Sequence, residues 1–137
     1  DSAFFILNKL IGKDYSRKFI DEHKIEFRVI NHLRGVNLED MYVILDEAQN
    51  VSPLQMKTLI TRICDTTKLI IQGDLTQCDK YKEDYRKSGF WDAWVRLRDV
   101  DGIEFMQFDK EDVVRSGIVR RVLETYNYNG DSIELPD

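Results

Sequence analysis

Asp46 and Glu47 are the residues best placed to do chemistry, because three apolar residues, Val43, Ile44 and Leu45, read as a buried strand running straight into them. An acidic pair ending a buried strand is the Walker B pattern. Its first carboxylate holds Mg²⁺ through water, and its second polarises a water that attacks a nucleoside triphosphate. The plainer alternative is that Asp46 caps the following turn and Glu47 is solvated. A second motif weighs against that alternative.

The apolar run from Lys68 to Gln72 ends in Gly73-Asp74-Leu75-Thr76-Gln77. Between the two runs, Ser52 and Pro53 open a segment with apolar residues at Leu54, Met56, Leu59, Ile60 and Ile63. A serine N-cap, a first-turn proline and that spacing predict a helix. The unit is therefore strand, helix, strand. A right-handed crossover makes its strands parallel, so Asp46-Glu47 and Gly73–Gln77 emerge together at the carboxyl edge of one sheet. Ligands of open α/β sheets bind at that edge.

At these residues the chain resembles the PhoH family of P-loop ATPases. The matching stretches are Leu33-Arg34-Gly35, the ILDEAQN run at 44–50, Gln55-Met56-Lys57, Thr61-Arg62-Ile63, GDLTQ at 73–77, Ser88-Gly89 and Glu111 to Arg115, with Arg121 and Tyr126 beyond. The resemblance spans roughly residues 20–128. It implies an α/β, three-layer P-loop NTPase (RecA-like) fold: a mostly parallel sheet with helices on both faces and the N-terminal part absent. The family core is similar to that of superfamily 1 helicases.

Carried over residue by residue, the resemblance assigns Asp46 to the Mg²⁺ shell through water, Glu47 to water activation and Gln77 to sensing the γ-phosphate. Gln49 is expected to couple the acidic turn to neighbouring loops. These roles need a hard oxygen ligand, a carboxylate base and a neutral amide able both to donate and to accept. Asp74 stays open between an orienting carboxylate and a turn residue. Arg34, in the Leu-Arg-Gly turn, suits a phosphate fork, and Arg115 suits an arginine finger reaching a neighbour in a ring-shaped oligomer; the plain alternative for each is a structural ion pair.

A complete site needs GxxxxGKS/T, whose backbone amides cradle phosphates and whose lysine reaches the β and γ groups. Gly12-Lys13 is the only Gly-Lys pair; it lacks the earlier glycine, is followed by Asp14 and follows a helical pattern. An aspartate beside the γ-phosphate would repel it. The expectation is a fragment whose P-loop lies upstream, with 1–128 as the partial ATPase domain and 129–137 as a polar tail.

The remaining elements follow from pattern. Phe4 to Ile11 and Tyr15 to Glu22 predict helices, Ile25 to Ile30 an edge strand, Phe90 to Leu97 an aromatic-faced helix, Ile103 to Phe108 a strand and Glu111 to Tyr126 a closing helix. With 137 residues, 42% of them hydrophobic and 33% charged, the chain can bury a core and solvate its surface. No apolar run approaches the roughly 20 residues that span a bilayer. Cys64 and Cys78 lack CxxC spacing, which fits a reduced, cytoplasmic setting rather than a zinc site.

Trp91 and Trp94 could stack on bases, but their spacing fits a core-facing helix better. Lys80, Lys82, Arg86 and Lys87, interleaved with Tyr81 and Tyr85, make a better candidate nucleic-acid loop, diluted by Glu83 and Asp84. A net charge of −5 disfavours binding of nucleic acid over the whole surface and leaves room for a local groove. Two functions are expected from these residues and the resemblance. The first is part of a Mg²⁺-dependent ATP-hydrolysing domain coupled to single-stranded RNA or DNA. The second is a catalytically inactive ATPase-like module that binds a protein partner or nucleotide without turnover.

Overall fold

The computed structural model describes residues 2–33 and 35–108, together with residues 112, 117, 118 and 121. The chain divides into two compact units, residues 1–33 and 34–137.

In the first unit, α1 (Ser2–Ile11) and α2 (Lys13–Asp21) meet at Gly12, whose φ of 84° lies in the region that only glycine adopts freely. The Gly12 carbonyl then accepts from both the amide and the hydroxyl of the buried Ser16, at 3.0 and 2.8 Å, the first hydrogen bonds of the new helix. Gly12-Lys13 thus joins helix to helix, unlike a phosphate loop fed by a strand. Residues 25–29, predicted as a strand, are irregular and lead into a 3-10 turn at Ile30–Leu33. The Lys24 and Ile25 amides close locally onto the Phe19 carbonyl, Arg28 clasps Glu26, and Phe27 meets Phe4 edge-on. Alternating side chains make a strand only if a partner ladder is present, and none pairs with this segment among the described residues.

The second unit contains the predicted strand, helix, strand. β1 (Tyr42–Leu45) and β2 (Lys68–Ile71) run parallel with Tyr42 opposite Lys68 and Leu45 opposite Ile71. A parallel bridge between Leu38 and Ile63 precedes the ladder. Between the strands, α3 (Pro53–Ile60) starts on a full capping box: the Ser52 hydroxyl accepts from the Gln55 amide, while the Gln55 side chain accepts from the Ser52 amide. The strands are not buried on both sides as their composition suggested. Val43, Leu45, Leu69 and Ile71 are half-buried, whereas Tyr42 and Ile44 are 71% and 64% exposed. The described residues therefore form a small α/β arrangement with two parallel strands, and the larger sheet with helices on both faces is not seen within them.

The core of this unit is built from Leu38, Ala48, Val51, Met56, Leu59, Leu75 and Cys78. It lies among α3 and the two segments that leave the strands. Ser88 caps α4 (Gly89–Leu97) by accepting from the Trp91 amide. Gly89 lets α4 pass close to α3, since a Cβ there would sit 2.5 Å from the Ser52 carbonyl oxygen and 2.9 Å from Met56 Cβ. Trp91 packs edge-on against Tyr85 and Trp94 against Phe90 and Phe105, so the tryptophans serve packing. Residues 103–108, predicted as a strand, have no ladder among the described residues; Phe105 turns onto Trp94 while Met106 and Phe108 are exposed. The predicted closing helix lies mostly outside the described residues, with helical backbone at Gly117, Ile118 and Arg121, and the 129–137 tail lies wholly outside them. No helix among the described residues is long and apolar enough to cross a membrane.

Candidate active site

The parallel register fixes the site. Continued by one residue past Leu45 and Ile71, it sets Asp46 beside Gln72, and Gln72 donates from Nε2 to Asp46 Oδ1 at 2.9 Å. The Glu47 amide donates to the same oxygen, also at 2.9 Å. Asp46 thus receives two neutral donors on Oδ1, while Oδ2 accepts from no described residue and the residue is exposed. One such hard oxygen fits Mg²⁺, which keeps several waters and takes one or two carboxylates together with substrate phosphates.

Glu47 has a backbone φ of 55° and ψ of 37°, in the left-handed region. For a residue with a Cβ this costs on the order of 1 kcal/mol, and such strain persists only where surrounding bonds enforce it. Here the enforcing bonds are visible: Ala48 donates to the Gln72 carbonyl at 3.0 Å, and Asn50 to the Glu47 carbonyl at 3.0 Å.

Gln49 is the hub. Only 1% exposed, it donates from Nε2 to Glu47 Oε2 at 2.7 Å and accepts on Oε1 from the Asp74 amide at 3.1 Å. Its Nε2 also lies 3.5 Å from the Gln77 carbonyl oxygen. The backbone is close as well. A Cβ on Gly73 would stand 2.8 Å from Gln49 Oε1 and 3.0 Å from the Gln49 amide nitrogen. Two further ties run from the same turn, Cys78 Sγ to the Gln49 carbonyl and the Lys80 amide to Asn50 Oδ1, each 3.0 Å. The 48–50 turn and the 73–80 segment are therefore cross-linked from end to end.

Asp74 acts as a turn residue and more. Its Oδ1 accepts from the Thr76 amide and hydroxyl at 2.9 and 2.7 Å, capping a 3-10 turn at Leu75–Gln77, and its Oδ2 accepts from the Gln77 side-chain amide. The structure thus brings together Asp46, Glu47, Gln49, Asp74 and Gln77. Arg34 and Arg115 lie outside the described residues. The sequence gives no role to Gln72 or Cys78, and it marks Gly73 and Asn50 only as members of the Gly73–Gln77 and 44–50 runs. Gln72 was recoverable from the strand register, had it been known.

The basic loop is largely engaged with itself. Lys82 pairs with Asp79, Arg86 with Asp84, and Lys80 lies over the Tyr81 ring. The Arg86 guanidinium, bonded to Asp84 Oδ1 at 2.8 Å, holds the Asp84 carboxyl below its ordinary range.

These features define a small α/β protein with two parallel strands, whose carboxyl ends bear this hydrogen-bonded cluster of polar residues. Residues 4–127 match the family model described as PhoH-like protein, and the chain belongs to that family, one of P-loop ATPases. It is 40% identical to the PhoH-like protein of Bacillus subtilis (strain 168) over 121 residues, 88% of this chain and 37% of that protein. The PhoH-like protein of Synechocystis sp. is 40% identical over 107 residues, 78% of this chain and 32% of that protein. Protein PhoH of Escherichia coli (strain K12) is 39% identical over 104 residues, 76% of this chain and 29% of that protein. The chain spans about a third of the length of these curated relatives.

Proposed function

We propose that this chain supplies the metal-holding, water-activating and phosphate-sensing part of an ATP-hydrolysing site. The observation that carries the proposal is the buried Gln49, which bonds to the Glu47 carboxylate and to the Gly73–Gln77 segment at once. A structural glutamine needs no exposed carboxylate as its partner, whereas a base must be held in one orientation.

Asp46 would hold Mg²⁺ through water, and the ion when bound neutralises phosphate charge. Glu47 accepts the proton of an attacking water; Gln49 occupies Oε2, and Oε1 is the oxygen that takes the proton. Gln77 rests on Asp74 and exchanges that bond for one to the terminal phosphate. No GxxxxGKS/T occurs in the 137 residues, so the phosphate cradle of the proposed site is not among them. Arg34 and Arg115 keep their proposed roles as phosphate contact and ring-neighbour finger. Single-stranded RNA or DNA as the polymer partner rests on the likeness of the family core to superfamily 1 helicases.

The test is Glu47→Gln in a polypeptide carrying this chain together with a phosphate-binding loop. Loss of a general base predicts a fall in turnover of about 10²- to 10⁴-fold with Mg-ATP binding retained. Unchanged turnover would remove Glu47 as the base. The 137-residue chain by itself is expected to hydrolyse ATP negligibly.

A further inference from the structure

We infer that Gln72 is a positioning residue for Asp46, one that fixes which carboxylate oxygen is offered to a divalent cation. The inference rests on the proposed role of Asp46 and deepens it. An exposed glutamine ending a strand is ordinarily a solvated side chain. This one is tied at three points: its amide donates to the Leu45 carbonyl at 2.9 Å, its carbonyl accepts from the Ala48 amide at 3.0 Å, and its side chain donates to Asp46 Oδ1 at 2.9 Å.

The two backbone bonds lock residue 72 against the exit of β1 on both sides of Asp46. The side-chain amide therefore reaches Oδ1 from a fixed base instead of searching for it. With the Glu47 amide on the same oxygen, Asp46 loses its freedom to exchange its two oxygens, and Oδ2 is the one presented. Ordering the carboxylate before the cation arrives spares that cost on binding. Partners that orient a ligand from behind commonly change metal affinity by about 10- to 100-fold when removed. The exposure of this bond puts the expected effect lower, at about three- to tenfold.

Gln72→Met isolates the effect, since it keeps the length and backbone bonds and removes only the donor. The probe is Mn²⁺ titrated into the 137-residue chain, read as paramagnetic broadening of the Asp46, Glu47 and Gln72 amide signals. The expected result is that Asp46→Asn abolishes localised broadening and that Gln72→Met raises the Mn²⁺ concentration required by about three- to tenfold. If Asp46→Asn abolishes broadening while Gln72→Met titrates like the unaltered chain, the positioning role is overturned and the Asp46 assignment stands. If Asp46→Asn has no effect, the metal assignment fails and the inference falls with it. A second measurement needs no metal: the Gln72 side-chain amide protons should exchange slowly with solvent, and faster in Asp46→Ala, which leaves no acceptor. Exchange at the free-amide rate in both would also overturn it.

Discussion

Replacing Gln49 by methionine tests the central cross-link, because methionine nearly matches glutamine in length and volume and makes none of its hydrogen bonds. Three contacts are lost. The bond to Glu47 Oε2 at 2.7 Å goes to an exposed carboxylate, and water replaces part of it, leaving about 1 kcal/mol. The bond from the Asp74 amide at 3.1 Å is worth about 1 kcal/mol. The 3.5 Å contact to the Gln77 carbonyl lies at the limit of hydrogen bonding and adds little. The sum is about 2 kcal/mol. With an unfolding entropy of about 2.1 cal/mol/K per residue, a chain of 137 residues converts this to a fall in Tm of about 7 °C. Thermal unfolding followed by circular dichroism measures it, with Gln107→Met, at an exposed position, as the control. Hydrogen exchange supplies the local readout, since the Asp74 amide should lose protection in the Gln49 variant and keep it in the control. A Tm within about 2 °C of the unaltered chain, with Asp74 still protected, would refute the reasoning, for the hub would then hold nothing.

Two other outcomes follow from contacts described above. Gly73→Ala places a methyl group 2.8 Å from Gln49 Oε1 and 3.0 Å from its backbone nitrogen, which cannot yield; overpacking of this kind costs about 1–3 kcal/mol, read as a lower urea midpoint, and an unchanged midpoint would show that the two segments are not in contact in solution. The Asp84 carboxyl, held low by Arg86, should titrate by NMR with a midpoint below the ordinary aspartate value. Because its folded pKa is depressed, whatever its turn gains from the charge is present above the unfolded value and lost as pH falls through the folded one. Arg86→Met should return the midpoint toward the ordinary value, and a midpoint that does not move would reject the pairing.

The features legible in the residues alone are mostly local. Ser52, Pro53 and Gln55 specify the start of α3 within one turn of chain, and Ser88 does the same for α4, because capping bonds join residues three apart. The acidic pair after an apolar run and the Gly-Asp-Leu-Thr-Gln run were legible for the same reason, as was the parallel crossover, whose handedness depends only on chain chirality. Which residues meet across distant segments came only from the folded arrangement. Residues 25–30 and 103–108 carry strand-like composition and have no ladder among the described residues, since a ladder needs a neighbour that composition does not supply. Glu47 takes a left-handed backbone that no residue type announced, enforced by the Ala48 amide on the Gln72 carbonyl and the Asn50 amide on the Glu47 carbonyl. The register of β1 on β2 set Gln72 against Asp46, and the turn at Ala48–Asn50 folded Gln49 back against Gly73. A shift of one residue would have put different side chains there with the sequence pattern unchanged, because alternation records which faces strands have and not which residues meet across them.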